Sequence, residues 1–261
     1  MKILVVFALA LAYASGSALR GEEGPVQDGP DGRIANGEKA ELWQFDYQVG
    51  LYVKNGKTYS WCGGAFLEHA WVLTAAHCVD EFGAIRRFVS QIKRYAYPDS
   101  ILIHSGYNRK TMANDIALIK ITAVQYSSGI SPIRLPSMQP PYASYVDEKA
   151  VATGWGRTSD SDQYNSDDLM YAYMEVISNA ACTKTYGASI ESSNICVSTT
   201  SGASTCGGDD GGPLALDSKI PTLIGIASFG SQKGCEKGLP VAFTRVTNYL
   251  DWIQAETGVA Y

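Results

Sequence analysis

An all-β protein of many short strands, with one helix near its C-terminus, is predicted by three observations. The chain carries 26 Gly, 16 Tyr and many β-branched residues, a composition that favours pleated sheet and tight turns. Apolar runs of four to eight residues recur along it between Gly, Asn and Ser clusters. Helical periodicity is confined to the last turns of the chain. Of the 261 residues, 46% are apolar or aromatic and 18% charged, enough for a substantial core. There are 21 Lys and Arg against 26 Asp and Glu, a net charge of −5, so no basic face for nucleic acid is expected.

The elements follow in order. Met1-Lys2 precedes the apolar run Ile3–Tyr13, and small residues follow to Ala18. This is the charge, length and cleavage pattern of a secretory signal over 1–18, too short to span a bilayer as a helix. A soluble, secreted chain is therefore expected, in which six Cys are free to pair. Residues 19–33 are rich in Gly, Pro and acid and read as a pro-segment ending in Arg33. The rest, 34–261, reads as the folded domain. Gln48–Lys54 and Lys57–Cys62 flank the hairpin signal Asn55-Gly56. Further strands are expected at Trp71–Thr74, Ile101–His104, Ile116–Ile121, Ala150–Trp155, Met170–Ile177, Leu223–Phe229 and Val241–Arg245. The helix is expected over Thr247–Thr257, capped by Thr247 or Asn248, with Val246, Leu250 and Ile253 on one face. Many short strands with Gly-rich turns point to barrels or a sandwich.

Four short stretches carry chemistry. They are Arg33-Ile34-Ala35-Asn36-Gly37, Leu73-Thr74-Ala75-Ala76-His77-Cys78, Asn114-Asp115-Ile116-Ala117-Leu118-Ile119 and Cys206-Gly207-Gly208-Asp209-Asp210-Gly211-Gly212-Pro213. Singly, each is a loop, a strand cap or a turn. With three His in all (His69, His77, His104) and no H-E-x-x-H, neither a metal nor a cofactor is expected.

In their order these stretches resemble the trypsin/chymotrypsin-like serine proteases. Within that family they are similar to the brachyurins, collagenase-like enzymes of arthropods. The likeness extends from Ile34 to the C-terminus through Val176–Ala180, Tyr186-Gly187, Asn194–Cys196 and Cys235–Gln254. It implies two antiparallel six-stranded β-barrels, about 34–137 and about 138–261, with a C-terminal helix and the site between them. The implied triad is His77, Asp115 and residue 210. The family's reference triad has gaps of about 45 and about 93 residues. Here they are 38 and 95, so something between His77 and Asp115 is trimmed, and Glu81–Ser100 departs from the family pattern.

The family carries Gly-Asp-Ser-Gly-Gly-Pro where this chain has Gly208-Asp209-Asp210-Gly211-Gly212-Pro213, so Asp210 stands at the nucleophile's position. The implied oxyanion hole is the backbone N–H of Gly208 and of Asp210. The implied specificity pocket has Ser204 at its base, Ser228, Phe229 and Gly230 along one wall and Val241 on another. With no acid at that base, an uncharged side chain is expected in it. The activation site is Arg33-Ile34, cut by a trypsin-like enzyme, with Asp209 as the expected partner of the new α-ammonium. Six Cys allow fifteen connectivities; the resemblance selects Cys62–Cys78, Cys182–Cys196 and Cys206–Cys235. The expected function is a secreted, monomeric protease homologue that is catalytically inactive. Its expected partners are a peptide, a substrate-like protein or a protease inhibitor, with no nucleic acid or membrane. A weakly active digestive endopeptidase and a structural or storage secretion are the alternatives.

Overall fold

The computed structural model describes residues 34–55, 57–68, 70–80, 84–89 and 92–261. The signal segment 1–18, the pro-segment 19–33 with Arg33, and His69 lie outside the described residues, as do parts of the 81–100 stretch.

The N-terminal half is a seven-stranded antiparallel sheet. Its strands are β2 (Gln48–Asn55), β3 (Thr58–Phe66), β4 (Trp71–Thr74), β5 (Ala84–Val89), β6 (Ile92–Ala96), β7 (Ile101–Ile103) and β8 (Ala117–Lys120), preceded by the two-residue β1 (Glu38–Lys39). Their spatial order is β6-β5-β2-β3-β4-β8-β7. The two edges, β6 and β7, are consecutive in the chain, and only residues 97–100 lie between them. The sheet therefore curls until its edges meet through the backbone. A single-turn 3₁₀ segment at Pro98–Ser100 interrupts what is otherwise one strand. Proline lacks the N–H a ladder needs, which accounts for the break. With β6 and β7 taken as one broken strand, the sheet has the six expected staves.

The C-terminal half closes by pairing. Its strands are β9 (Lys149–Gly154), β10 (Met170–Ile177), β11 (Asn194–Val197), β12 (Pro213–Leu216), β13 (Leu223–Phe229) and β14 (Val241–Arg245). The order β10-β11-β14-β13-β12-β9 returns to its start through β9–β10, making a closed six-stranded barrel with β1 on its outside. Along β10, Met170, Ala172, Met174 and Val176 are buried while the residues between them are not, the period-two pattern of a strand with one face in the core.

Two helices complete the chain. α1 (Asn179–Tyr186) was not foreseen from sequence. It buries only Cys182, so it has no apolar stripe to read, yet Ser178 caps it by accepting from the Ala181 N–H, and Gly187, with φ of 59°, ends it. α2 (Leu250–Thr257) is the expected C-terminal helix, entered from a 3₁₀ turn at Val246–Tyr249. Neither Thr247 nor Asn248 caps it, because both belong to that 3₁₀ turn and Tyr249 is the residue before α2. Leu250 and Ile253 pack into the main core, which is continuous from Val49, Leu51 and Leu118 of the first sheet to Leu223 and Ile226 of the barrel.

Three disulfides, Cys62–Cys78, Cys182–Cys196 and Cys206–Cys235, follow the pairing that the resemblance implied. Bridges of this kind contribute about 2–4 kcal/mol each. No helix among the described residues is long and apolar enough to cross a membrane.

Candidate active site

Each of the three site loops is fixed by its own surroundings. His77 lies on a 3₁₀ turn, Ala76–Cys78, directly after β4, and the Cys62–Cys78 bridge ties that turn to β3. Asp115 precedes β8 and is wholly buried. Its carbonyl oxygen accepts from Thr244 Oγ1 at 2.8 Å, which secures it to β14 of the other half. Asp210 lies in the turn before β12. Its carbonyl oxygen accepts the Gly63 N–H of β3 at 2.7 Å, while the next residue's N–H donates to Ala227 O of β13 at 2.8 Å. Glycine is required in this turn: Gly208 and Gly211 have φ of 100° and 76°. A Cβ on Gly211 would also lie 2.8 Å from Gly63 O, with Thr74 Oγ1 closer still.

The structure brings His77 and Asp115 together. The Asp115 carboxylate meets His77 Nδ1 at 2.7 Å through Oδ2 and accepts the His77 backbone N–H at 2.9 Å through Oδ1. Ser228 Oγ donates to Oδ2 at 2.6 Å. Buried carboxyl oxygens need such partners. The shorter His77–Asp115 interval thus leaves the contact intact. Within the stretch that departs from the family pattern, β5 pairs with β2 along its whole length and β6 pairs with β5.

Burial disfavours the charged form of His77. The Asp115 hydrogen bond and charge, then the charges of Asp210 and Asp80, outweigh it, and the imidazole pKa is raised above its ordinary value. The Asp210 carboxyl is also raised, chiefly by burial and then by repulsion from Asp115. The His77 charge and the backbone N–H groups of Gly208 and of Asp210 itself act the other way. The two amides that favour its charge are those that the resemblance implied as an oxyanion hole.

Asp209 faces inward and is 1% exposed. It accepts the Gly156 N–H at 2.7 Å and the Cys206 N–H at 2.9 Å. Desolvation dominates, and the carboxyl is pushed up to about 7. Among the described residues, no cationic side chain pairs with it. Ile34 is fully buried against Met170, Ala172 and Ala203. Ala35 forms a backbone bridge to Ser204, with the Ser204 N–H donating to Ala35 O at 3.1 Å.

A cavity of about 370 Å³ opens beside Asp210. Ser204, Ser228, Phe229, Gly230 and Val241, all anticipated, line it. Arg157 and Asp160, not anticipated, line it too. The earlier expectation of an acid-free base needs this addition: Asp160 reaches the cavity from a loop 75 residues before Cys235, whose N–H it accepts at 2.7 Å. Its charge is met by Lys237 at 3.4 Å. Nothing near Asp160 in the sequence signals this placement. The cystine Cys206–Cys235, joining two walls of the cavity, is the nearest clue.

Comparison with known proteins agrees with this geometry. The profile of the trypsin family matches residues 34–253. A collagenase of Hypoderma lineatum is 41% identical, with 100% of each chain covered. The brachyurin of Leptuca pugilator is 36% identical, covering 87% of this chain and 99% of that one. A solved collagenase structure superposes with a TM-score of 0.79 at 38% identity, over 87% of this chain and 99% of that chain. By fold, by the arrangement around His77 and Asp115, and by sequence likeness over most of its length, the chain belongs to the trypsin family of serine proteases.

Proposed function

We propose that this protein is a secreted, catalytically inactive trypsin-family homologue whose cleft binds peptides or protease inhibitors without cutting them. The observation that carries this reading is Asp210 in the turn before β12, where the family has its nucleophile, with its charge acting on His77.

In the family's reaction a serine hydroxyl attacks the peptide carbonyl, the histidine takes its proton, and two amides stabilise the oxyanion. An aspartate at 210 opposes each step. Its carboxylate attacking an amide would give an anhydride, far less stable than the amide, so the attack reverses. Its charge favours a protonated His77, which cannot act as a base. The Gly208 and Asp210 amides, which should meet charge only in the transition state, already act on this carboxyl. Loss of the nucleophile alone costs on the order of 10⁶ in turnover.

A second reading has support of its own. The relatives carry the names collagenase and brachyurin, and the His77–Asp115 contact is complete. On that reading the protein is an endopeptidase working at a reduced rate. Secretion is supported by the apolar leader and the three disulfides. Activation by a trypsin-like enzyme at Arg33 is supported by the buried Ile34 and by an Asp209 that no described cation neutralises.

One experiment separates the two readings. Native protein and Asp210→Ser, both cut after Arg33, are assayed on peptides with an apolar residue at the scissile bond. The expected result is no turnover and no labelling by a serine-directed phosphonylating reagent for the native chain, with both regained in the variant. Rapid hydrolysis by the native chain overturns the proposal.

A further inference from the structure

A second cavity, of about 630 Å³, adjoins the first and shares Phe229, Gly230 and Ser231 with it. Its walls come from three separate places: the loop between β7 and β8, the end of α1, and the loop after β13. Each contributes a lysine, Lys110, Lys184 and Lys233, and none of the described lining residues is acidic. All three lysines are exposed.

These lysines differ from their neighbours. Lys39, Lys149 and Lys237 each meet a carboxylate, and Arg109, beside Lys110, is paired with Asp80 at 3.0 Å. No described carboxylate lies within ion-pair distance of Lys110, Lys184 or Lys233. Three like charges thus converge on one hollow in a chain whose net charge is −5. The floor is apolar and well held. Tyr186 and Phe229 meet edge to face at 5.5 Å, and the Tyr186 hydroxyl donates to Pro240 O. Met112 completes it from a left-handed backbone position, φ 59°, a conformation that costs a non-glycine residue energy.

We propose that this cavity is a subsite for acidic side chains, on a peptide whose uncharged side chain fills the first cavity. The proposal rests on the reading of the cleft as a peptide-binding site. Continuity through the Phe229–Ser231 wall favours a peptide: an extended chain advances about 3.3 Å per residue, so residues adjoining the anchored one reach the lysines. The apolar floor accommodates the methylene stems of glutamates while the carboxylates meet ammonium groups at the rim. The charge pattern selects acidic partners and accelerates their association.

Short fluorescent peptides test this by anisotropy on the cut, full-length domain. Each has a central leucine, flanked on both sides either by glutamates or by glutamines. Exposed lysine–carboxylate pairs are worth about 1.4- to five-fold in affinity each, so with three lysines the glutamate peptide is expected to bind about threefold tighter or more at low salt. The advantage should vanish in the combined Lys110→Gln, Lys184→Gln, Lys233→Gln variant and fade as salt rises, with the glutamine peptide unaffected. Equal binding of the two peptides to the native chain overturns the subsite and leaves the cleft reading standing. A glutamate preference that survives the triple substitution overturns its placement at these lysines. Failure of both peptides to bind overturns the subsite and the cleft reading together.

Discussion

Asp209 makes the stability of the uncut chain depend on pH in a way that cutting should abolish. Its carboxyl is buried and pushed up to about 7, whereas the unfolded chain titrates near the ordinary aspartate value of about 3.9. Between those values the folded state holds a proton that the unfolded state has lost. Stability therefore falls as pH rises from about 4 to about 7, by up to about 1.4 kcal/mol per pH unit. Above that window both states are ionised and the slope ends. The whole span is on the order of 4 kcal/mol. On the proposed activation, release of the Ile34 α-ammonium should supply the missing cation, return the Asp209 pKa to a lower value and flatten the curve. The assay is urea unfolding of cut and uncut protein at several pH values across the window, with Asp209→Asn as reference. Asparagine lowers the absolute stability, since it cannot accept from both Gly156 and Cys206 as the carboxylate does, but it has no proton to lose. An uncut native chain whose slope matches that of the Asn variant would refute the buried-acid account. Equal slopes before and after cutting would refute the pairing with Ile34.

Two other expectations follow from the same site. The His77 ring, followed by NMR, should titrate above the ordinary histidine value and move down in Asp210→Ser, because one of the charges holding it up is gone; an unmoved midpoint would show that Asp210 does not act on it and that Asp115 and Asp80 hold it up. Since the folded value is raised, this stabilisation is complete below about pH 6.5 and is lost as pH climbs through the folded pKa. Gly211→Ala forces a Cβ onto Gly63 O and Thr74 Oγ1 from a left-handed backbone. It should cost more than about 3 kcal/mol in thermal or denaturant unfolding, and a near-native melt would mean that the turn can shift without penalty.

Much of the frame was legible because it is written in local patterns. β10 alternates buried and open side chains along its length, and β13 is an apolar run bounded by turn residues. β11 and β12 were not foreseen, since four residues such as Pro213–Leu216 beside a glycine-rich turn carry too little periodicity to read. α1 was missed for a related reason: its stability comes from a serine cap and one cystine half, not from an amphipathic face. At the site, His77, Asp115 and the pocket wall were anticipated only through the resemblance that the stretches carry in their order, since each stretch singly is a loop, a strand cap or a turn. The second role of Ser228, as a donor to Asp115, was not, since 113 positions separate them and only the closure of two sheets on each other unites them. The same holds for Asp160 and for the three lysines, which arrive from unrelated loops.

Position 210 is clamped from both sides, its carbonyl by Gly63 of the first sheet and the following amide by Ala227 of the barrel. Any sliding of one half across the other must therefore stretch one of these two bonds and displace the side chain at 210. The turn behaves as a rivet through the seam. A ligand that wedges or draws together the two halves is therefore felt at that residue, whichever half it touches.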